Sequence, residues 1–319
     1  MGRTKKRQKG QLKKQFKNRG DLIPFLFPAM LFAIVFAYIP MLGLVMAFKE
    51  NPNLLGSSSA IQGILDADWV MFDHFKKIFS QPQFISALTN TLIISALKIL
   101  VVFPLPIMLA ILINELRGKV MKKTLQIVMY LPYFLSWATI AGIFIAILNK
   151  NTGVINNFIE LLGHERVDFI TNNENFRQLL VSTTAWKDIG WSAITYIAAI
   201  TALDPSLTEV AKIDGASKIQ QIWYVTLPSI MPTIAVMFIL RIGYVMDAGF
   251  EQVFMFYSPF VQESGDILGT YTYRLVRQAS LIPQYSLSTA IGLFNSVVSL
   301  TLVICGNYIS KKLFKRGVW

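Results

Sequence analysis

The amino-acid sequence predicts an all-α, polytopic membrane protein. Hydrophobic residues fill 54% of its 319 positions and charged residues only 15%, where an ordinary soluble domain carries about 25% charge. Six apolar stretches are long enough to cross a hydrocarbon core of roughly 30 Å, which takes about 20 helical residues. They cover about 22–48, 88–114, 124–148, 178–202, 226–250 and 286–310. The basic residues also fall unevenly on the two sides of these stretches.

The expected elements run as follows. Residues 1–20 form a polar, basic tail, too poor in apolar side chains to build a core. Residues 21–319 form one membrane domain. The first span carries Pro24, Pro28 and Pro40, which a spanning helix tolerates when neighbours satisfy the freed carbonyls. The loop 49–87 contains a Gly-Ser-Ser-Ser stretch and then Asp73-His74-Phe75-Lys76-Lys77-Ile78-Phe79, which reads as a short interfacial helix. The second span ends at Asn114-Glu115-Leu116-Arg117, and a tight basic turn leads to the third, which contains Leu131-Pro132-Tyr133. A loop rich in Asn, Gly and acidic residues precedes the fourth. The fifth opens at Leu227-Pro228 and ends in Asp247-Ala248-Gly249-Phe250-Glu251. About 35 residues then lead to the sixth.

The formal net charge is +12. Its distribution speaks for topology and anionic lipid rather than nucleic acid. Nine of the first nineteen residues are Lys or Arg. Arg117, Lys119, Lys122, Lys123, Lys212, Lys218, Lys311, Lys312, Lys315 and Arg316 fall on the same side of six spans. The positive-inside rule therefore places both termini in the cytoplasm. The first apolar stretch is too long for the h-region of a cleavable signal. Cys305 is the single cysteine, so no intramolecular disulfide or thiolate metal site is expected. His74 and His164 lie far apart and read as solvated polar residues, and no metal site is expected.

A polar island separates the fourth and fifth stretches. Asp204-Pro205 is a helix start, because Asp accepts from free first-turn amides and Pro at the first position gives up no needed donor. A helix over about 205–213 follows. Gly215 permits positive φ and a sharp turn. A second helix over about 216–226 carries Ile219, Ile222, Trp223 and Val225 on one side. Physics alone allows a plain interfacial connector. The order Glu209, Ala211, Asp214, Gly215, Ala216, then Leu227-Pro228, resembles the EAA loop of ABC-importer permeases. Val210 stands where that family has alanine, and Ile222 where it has phenylalanine.

The resemblance covers nearly the whole chain. Tyr38-Ile-Pro-Met-Leu-Gly, Asn90-Thr-Leu-Ile-Ile-Ser, Pro104-Leu-Pro-Ile-Met-Leu-Ala with Asn114-Glu-Leu-Arg, Gly249-Phe-Glu-Gln-Val-Phe and Gly292-Leu-Phe-Asn-Ser-Val are similar to the LplB-like branch of carbohydrate permeases, related to MalF. That resemblance implies a bacterial, Gram-positive plasma-membrane importer subunit for a sugar or oligosaccharide. It implies a YtcP-like second permease, two ATPases docked on the 205–221 loop and an extracytoplasmic binding lipoprotein. ATP-coupling would fall to Glu209, Ala211, Asp214, Gly215 and Ala216. The chain has no G-x-x-x-x-G-K-[ST] stretch, so it is no enzyme and binds no cofactor itself, ATP and Mg belonging to the partner ATPase. An importer of a non-sugar solute and an ion-coupled secondary transporter are the alternatives.

Charges inside a span usually face a cavity or a partner. Lys98, Lys187, Asp188, Arg241 and Asp247 qualify, with a buried Lys187–Asp188 pair as a second reading. Sugar recognition by aromatic faces and directional hydrogen bonds points to Trp186, Trp191, Tyr244, Asp247 and Asn295. Interface anchoring of the tryptophans and a helix–helix bond from Asn295 are the competing readings.

Overall fold

The computed structural model describes residues 23–52, 59–277 and 283–314. The basic tail, most of the Gly-Ser-Ser-Ser stretch and the last basic residues lie outside them. Among the described residues there is no strand, only an isolated bridge between Lys49 and Trp69. The chain divides into two compact units, one running to His74 with Tyr285–Ala290 added, the other containing the rest.

In the first unit, α1 (Ile23–Ala33) continues through further helical turns to Phe48, and α2 spans Ala60–Asp66. Lys49 Nζ donates to the Leu65 and Ala67 carbonyls at 2.7 and 2.9 Å, and His74 Nε2 donates to the Lys49 carbonyl at 2.8 Å. The short helix expected over 73–79 is present as α3 (Asp73–Ser80), which begins at the end of this unit and continues into the second.

In the second unit, α4 (Pro82–Leu97) and α5 (Pro104–Glu115) follow, then α6 (Lys119–Tyr130), α7 (Trp137–Leu148) and α8 (Val154–Leu161). Next come α9 (Asn173–Thr201), α10 (Pro205–Ile213), α11 (Lys218–Gln221), α12 (Leu227–Gly243), α13 (Phe250–Phe256), α14 (Gln262–Gly265) and α15 (Leu268–Arg277). The last helix, α16, covers Tyr285–Phe314.

Among the described residues, four helices are long and apolar enough to cross a membrane: Leu26–Phe48, Pro82–Glu115, Lys218–Gly243 and Tyr285–Lys312. The bent pair Lys119–Phe134 and Trp137–Leu148 makes a fifth if it counts as one span. The expected span 178–202 lies within α9, whose 29 residues reach about 43 Å at 1.5 Å per residue. Its length suffices, but its polar middle keeps it out of the apolar set.

Prolines shape the long helices in a regular way. Each π-turn, at Ile34–Tyr38, Lys98–Val102 and Ile222–Thr226, ends two residues before a proline, at Pro40, Pro104 and Pro228. A proline cannot bond the carbonyl four residues back, and its ring crowds it. That carbonyl belongs to Phe36, Leu100 or Tyr224, the middle residue of each π-turn. Widening the turn relieves the clash without breaking the helix. The second short helix of the polar island therefore does not stop at Leu227-Pro228 as expected, but runs through its π-turn into α12.

Two expected spans are broken. The third, read as continuous over 124–148, bends by 100° between Phe134 and Trp137. Leu131–Phe134 tightens into a 3₁₀ turn around Pro132, Leu135 is extended, and Ser136 caps α7 by accepting from the Thr139 amide. The fifth ends at Gly243 rather than 250. Turns follow over 244–249, with Ala248 at φ +51° and Gly249 at φ +80° before α13.

Helix α9 runs through the middle of this unit. Near its start, Phe176, Leu179 and Leu180 pack with Ile94, Ala141, Val253 and Phe256. Near its end, Ala193, Tyr196 and Ile200 pack with Ala110, Ile230 and Ile234. The polar stretch Thr183–Ser192 lies between these two apolar clusters. Beyond the first cluster, Asn90 Nδ2 donates to the Glu263 and Asp266 carbonyls, and Arg177 donates to Asn90 Oδ1 at 2.8 Å. Asp266 also accepts from Arg274 at 2.5 and 2.6 Å, which raises the guanidinium further above its ordinary range.

Gly190 lets α9 approach α6. A Cβ there would sit 1.9 Å from the Met129 carbonyl oxygen. Gly190→Ala is expected to lower stability by about 1–3 kcal/mol through overpacking. Gly142→Ala, where a Cβ meets nothing within 4 Å, is expected to be neutral or stabilising by roughly 0.5–1 kcal/mol. Unfolding midpoints of the two variants in detergent check the contrast; equal midpoints would refute the close approach.

Candidate functional site

Two sites emerge: a polar helix–turn–helix between α9 and α12, and a cavity beside the polar stretch of α9.

In the first, Asp204 caps α10 by accepting from the Ser206 amide at 2.9 Å. That bond holds the Asp204 carboxyl below the ordinary carboxylate range. The helix ends at Ile213, and Gly215 takes φ +80°. The Ala216 amide donates to the Ala211 carbonyl at 2.9 Å and the Gly215 amide to the Lys212 carbonyl at 3.1 Å. These two bonds form a Schellman closure, in which a left-handed residue satisfies the orphan carbonyls of a helix end. Ser217 and Gln220 then form a reciprocal capping box that starts α11. Lys218 pairs with Glu115 at 2.6 Å, tying the turn to the end of α5.

Both helices of this element are thus capped by its own bonds. Glu209 is exposed and has no ion-pair or hydrogen-bond partner among the described residues. Leu207, Val210, Ile213 and Ile219 of the same element are exposed. Ala211 and Ala216 are half-buried, and Asp214 is exposed. The five residues singled out in the sequence therefore share one compact turn. A free carboxylate amid uncovered apolar side chains is a surface suited to protein docking.

The second site consists of two cavities of about 160 and 270 Å³ that share Asp188, Arg241 and Tyr244 in their linings. The smaller adds Lys98, Asp247, Trp137, Thr184 and Gln252; the larger adds Ser192, Tyr196 and Met237. Arg241 sits in the last turn of α12. Among the described residues its guanidinium makes no ion pair or hydrogen bond, so up to five donors are uncommitted.

The sequence candidates divide sharply. Asp188, Arg241, Tyr244, Asp247 and Lys98 come together around the cavities. Lys187 does not, and its pairing with Asp188 is not formed. Neighbours in sequence do not face each other on a helix, and Lys187 turns the other way. Its Nζ donates to the Tyr133 carbonyl at 2.9 Å and to the Leu135 carbonyl, and lies over the Tyr133 and Trp137 rings. Trp186 packs edge-on to Phe144, and Trp191 stacks on Tyr133 with ring centroids 4.6 Å apart. Asn295 has a buried Oδ1 without a partner among the described residues. None of these last three lines either cavity.

Ser95 and Gln252 were not singled out, yet both line the smaller cavity. The signal was present: each sits inside a family-like string, Asn90-Thr-Leu-Ile-Ile-Ser and Gly249-Phe-Glu-Gln-Val-Phe. Gln252 is fully buried and donates from Nε2 to the Leu180 carbonyl and Thr183 Oγ1 at 2.7 and 2.6 Å.

Comparison with known proteins converges. The chain is 38% identical to the polygalacturonan/rhamnogalacturonan transport system permease protein YteP of Bacillus subtilis, covering 92% of this chain and 88% of the relative. It is 38% identical to protein LplB of the same organism, covering 92% and 89%. The crystal structure of a bacterial alginate ABC transporter, in complex with an alginate pentasaccharide-bound periplasmic protein, contains a chain that matches with a TM-score of 0.85 and 39% identity over 97% of this chain and 100% of that one. Residues 102–316 match the family model described as binding-protein-dependent transport system inner membrane component, a stretch that contains both the helix–turn–helix and most of the cavity wall. The chain belongs to that family of transport-system membrane components.

Proposed function

We propose that this chain is one of two permease subunits of an ATP-driven importer that takes up an oligosaccharide bearing carboxylate groups. The observation that carries the substrate class is Arg241. A guanidinium kept inside a membrane domain is costly unless it faces a partner; this one shares its cavities with the Asp188 carboxylate but makes no side-chain hydrogen bond or close ion pair among the described residues. A carboxylate matches its planar fork with two parallel hydrogen bonds. Asp188, Asp247 and Tyr244 around the same space suit sugar hydroxyls, and Trp137 offers an aromatic face. The names of the relatives support this reading, since two of them concern acidic polysaccharides. Family membership leaves nothing in favour of the ion-coupled alternative.

In this reading α9 is a further span, which brings the count to six. Its polar middle faces the solute path, where an amphipathic helix costs nothing. Both termini and the helix–turn–helix of 204–226 then face the cytoplasm, as the basic residues suggest. The turn docks on an ATPase, which holds ATP and Mg. A second, YtcP-like permease completes the pore, a binding lipoprotein delivers the sugar from outside, and the setting is a Gram-positive plasma membrane. Glu209 offers its free carboxylate to a basic group of the ATPase. Asp214 and Gly215 keep the turn rigid, and Ala211 and Ala216 allow close packing.

Two experiments test the proposal in proteoliposomes that hold the whole importer. Proline cannot adopt the φ of +80° found at Gly215, so Gly215→Pro is expected to abolish uptake and stimulated ATP hydrolysis while the subunits remain assembled in the membrane. Full ATP-dependent uptake by that variant would rule out coupling through this turn. Arg241→Gln is expected to weaken uptake of an oligogalacturonate by about tenfold or more, the loss of a charge-assisted bond, and to leave uptake of its methyl ester nearly unchanged. An equal loss for both would remove the carboxylate from the reading.

A further inference from the structure

The turn segment Tyr244–Gly249 interrupts the path from α12 to α13 and supplies Tyr244, Val245, Asp247, Ala248 and Gly249 to the wall of the smaller cavity. Irregular backbone at membrane depth is tolerated only where protein or a cavity surrounds it, and its freed carbonyls need donors. Two donors reach it from behind, both from the second span. Ser95 Oγ donates to the Val245 carbonyl. Lys98 Nζ donates to the Ala248 carbonyl at 2.8 Å and to Gln252 Oε1 at 2.6 Å.

Gln252 is itself immobilised by the Leu180 carbonyl and by Thr183 and Thr184. The Lys98 amine therefore sits in a fixed socket and is only 5% exposed. Its tip packs against the left-handed backbone of Gly249, where a Cβ would lie 2.7 Å from Nζ. Lys98 is also the first residue of the π-turn that Pro104 imposes. The contrast with Arg241 is plain: both cations border one cavity, but the Lys98 amine donates to the protein, whereas the Arg241 guanidinium makes no hydrogen bond among the described residues.

We infer that Lys98, assisted by Ser95, is a positioning residue for the solute site. It clamps the 244–249 segment so that Tyr244 and Asp247 border the cavity beside Arg241, and it does not bind the solute. The inference rests on the cavity being the solute path. Lys98 then governs how tightly any solute is held, and Arg241 governs which charge is preferred.

The test uses the complete importer in proteoliposomes, with an oligogalacturonate and its methyl ester as probes, and a Tyr244→Cys reporter in a Cys305→Ser background labelled by a maleimide. Lys98→Met is expected to raise KM for both probes by a common factor of about ten, to leave their ratio at the wild-type value, and to speed labelling of the reporter. Ser95→Ala is expected to move all three readouts in the same direction by less. A changed acid-to-ester ratio in Lys98→Met would make Lys98 a ligand and overturn the inference, as would unchanged KM and labelling. If the wild-type importer takes up neither probe, the glycan reading falls, and the labelling rates alone decide the clamp: faster supports it, unchanged overturns it. If Lys98→Met does not accumulate in membranes, Ser95→Ala decides by the same outcomes.

Discussion

A backbone carbonyl released inside a membrane must find a donor within the protein, because no water is at hand. This chain breaks two of its long helices and meets that demand the same way both times. At the break between Phe134 and Trp137, Lys187 reaches across from α9 to the carbonyls of Tyr133 and Leu135. At the break after Gly243, Lys98 reaches the carbonyl of Ala248 and the side chain of Gln252. Burying a lysine at a helix centre costs about 2.5–3.5 kcal/mol. Two hydrogen bonds to a charged group return about 1.5–3 kcal/mol each. Each lysine and each break thus make the other affordable, and the two breaks shape the cavity between them.

Much of this fold was legible in the sequence, and the exceptions share one cause. Long apolar runs matched four of the expected spans, and a fifth if the bent pair counts as one, because length and hydropathy are local properties. Asp204-Pro205 and Gly215 gave the helix–turn–helix because capping is local too. The breaks were not legible. Pro28 lies inside α1 and Pro232 inside α12 without interrupting either helix, whereas Pro132 marks a sharp bend. Nothing beside Pro132 in the sequence separates it from the others; the difference is Lys187, more than fifty positions away. Asp247-Ala248-Gly249 read as a helix end, but a segment with two successive positive φ values needed Lys98 and Ser95 to hold it.

The candidate site was legible to the same degree and for the same reason. A charge within a span announces that it needs a partner but not which one. Lys187 and Asp188 were the natural pair on paper, yet they point to different neighbours, one to a helix break and one to a cavity. Trp186 and Trp191 satisfy ring contacts with Phe144 and with Tyr133 instead of facing the cavity. Ser95 and Gln252 carry no charge, so nothing but their place in recurring strings marked them.

The route from the helix–turn–helix to the cavity follows from a proline that fails to break its helix. Because the π-turn at Ile222–Thr226 absorbs Pro228, Lys218–Gly243 is one continuous rod of 26 residues, about 39 Å at 1.5 Å per residue. Gly215 lies just before one end and Arg241 within the last turn of the other. A cation in a last helical turn is favoured by the partial negative charge of the unpaired carbonyls there, without spending its hydrogen-bond donors. Ending the helix at Gly243 therefore lets Arg241 remain uncommitted. Any tilt imposed at the turn must shift Arg241 relative to Asp188, which belongs to another helix. Under the proposed function, the solute's grip and the position of the turn then vary together through this one helix.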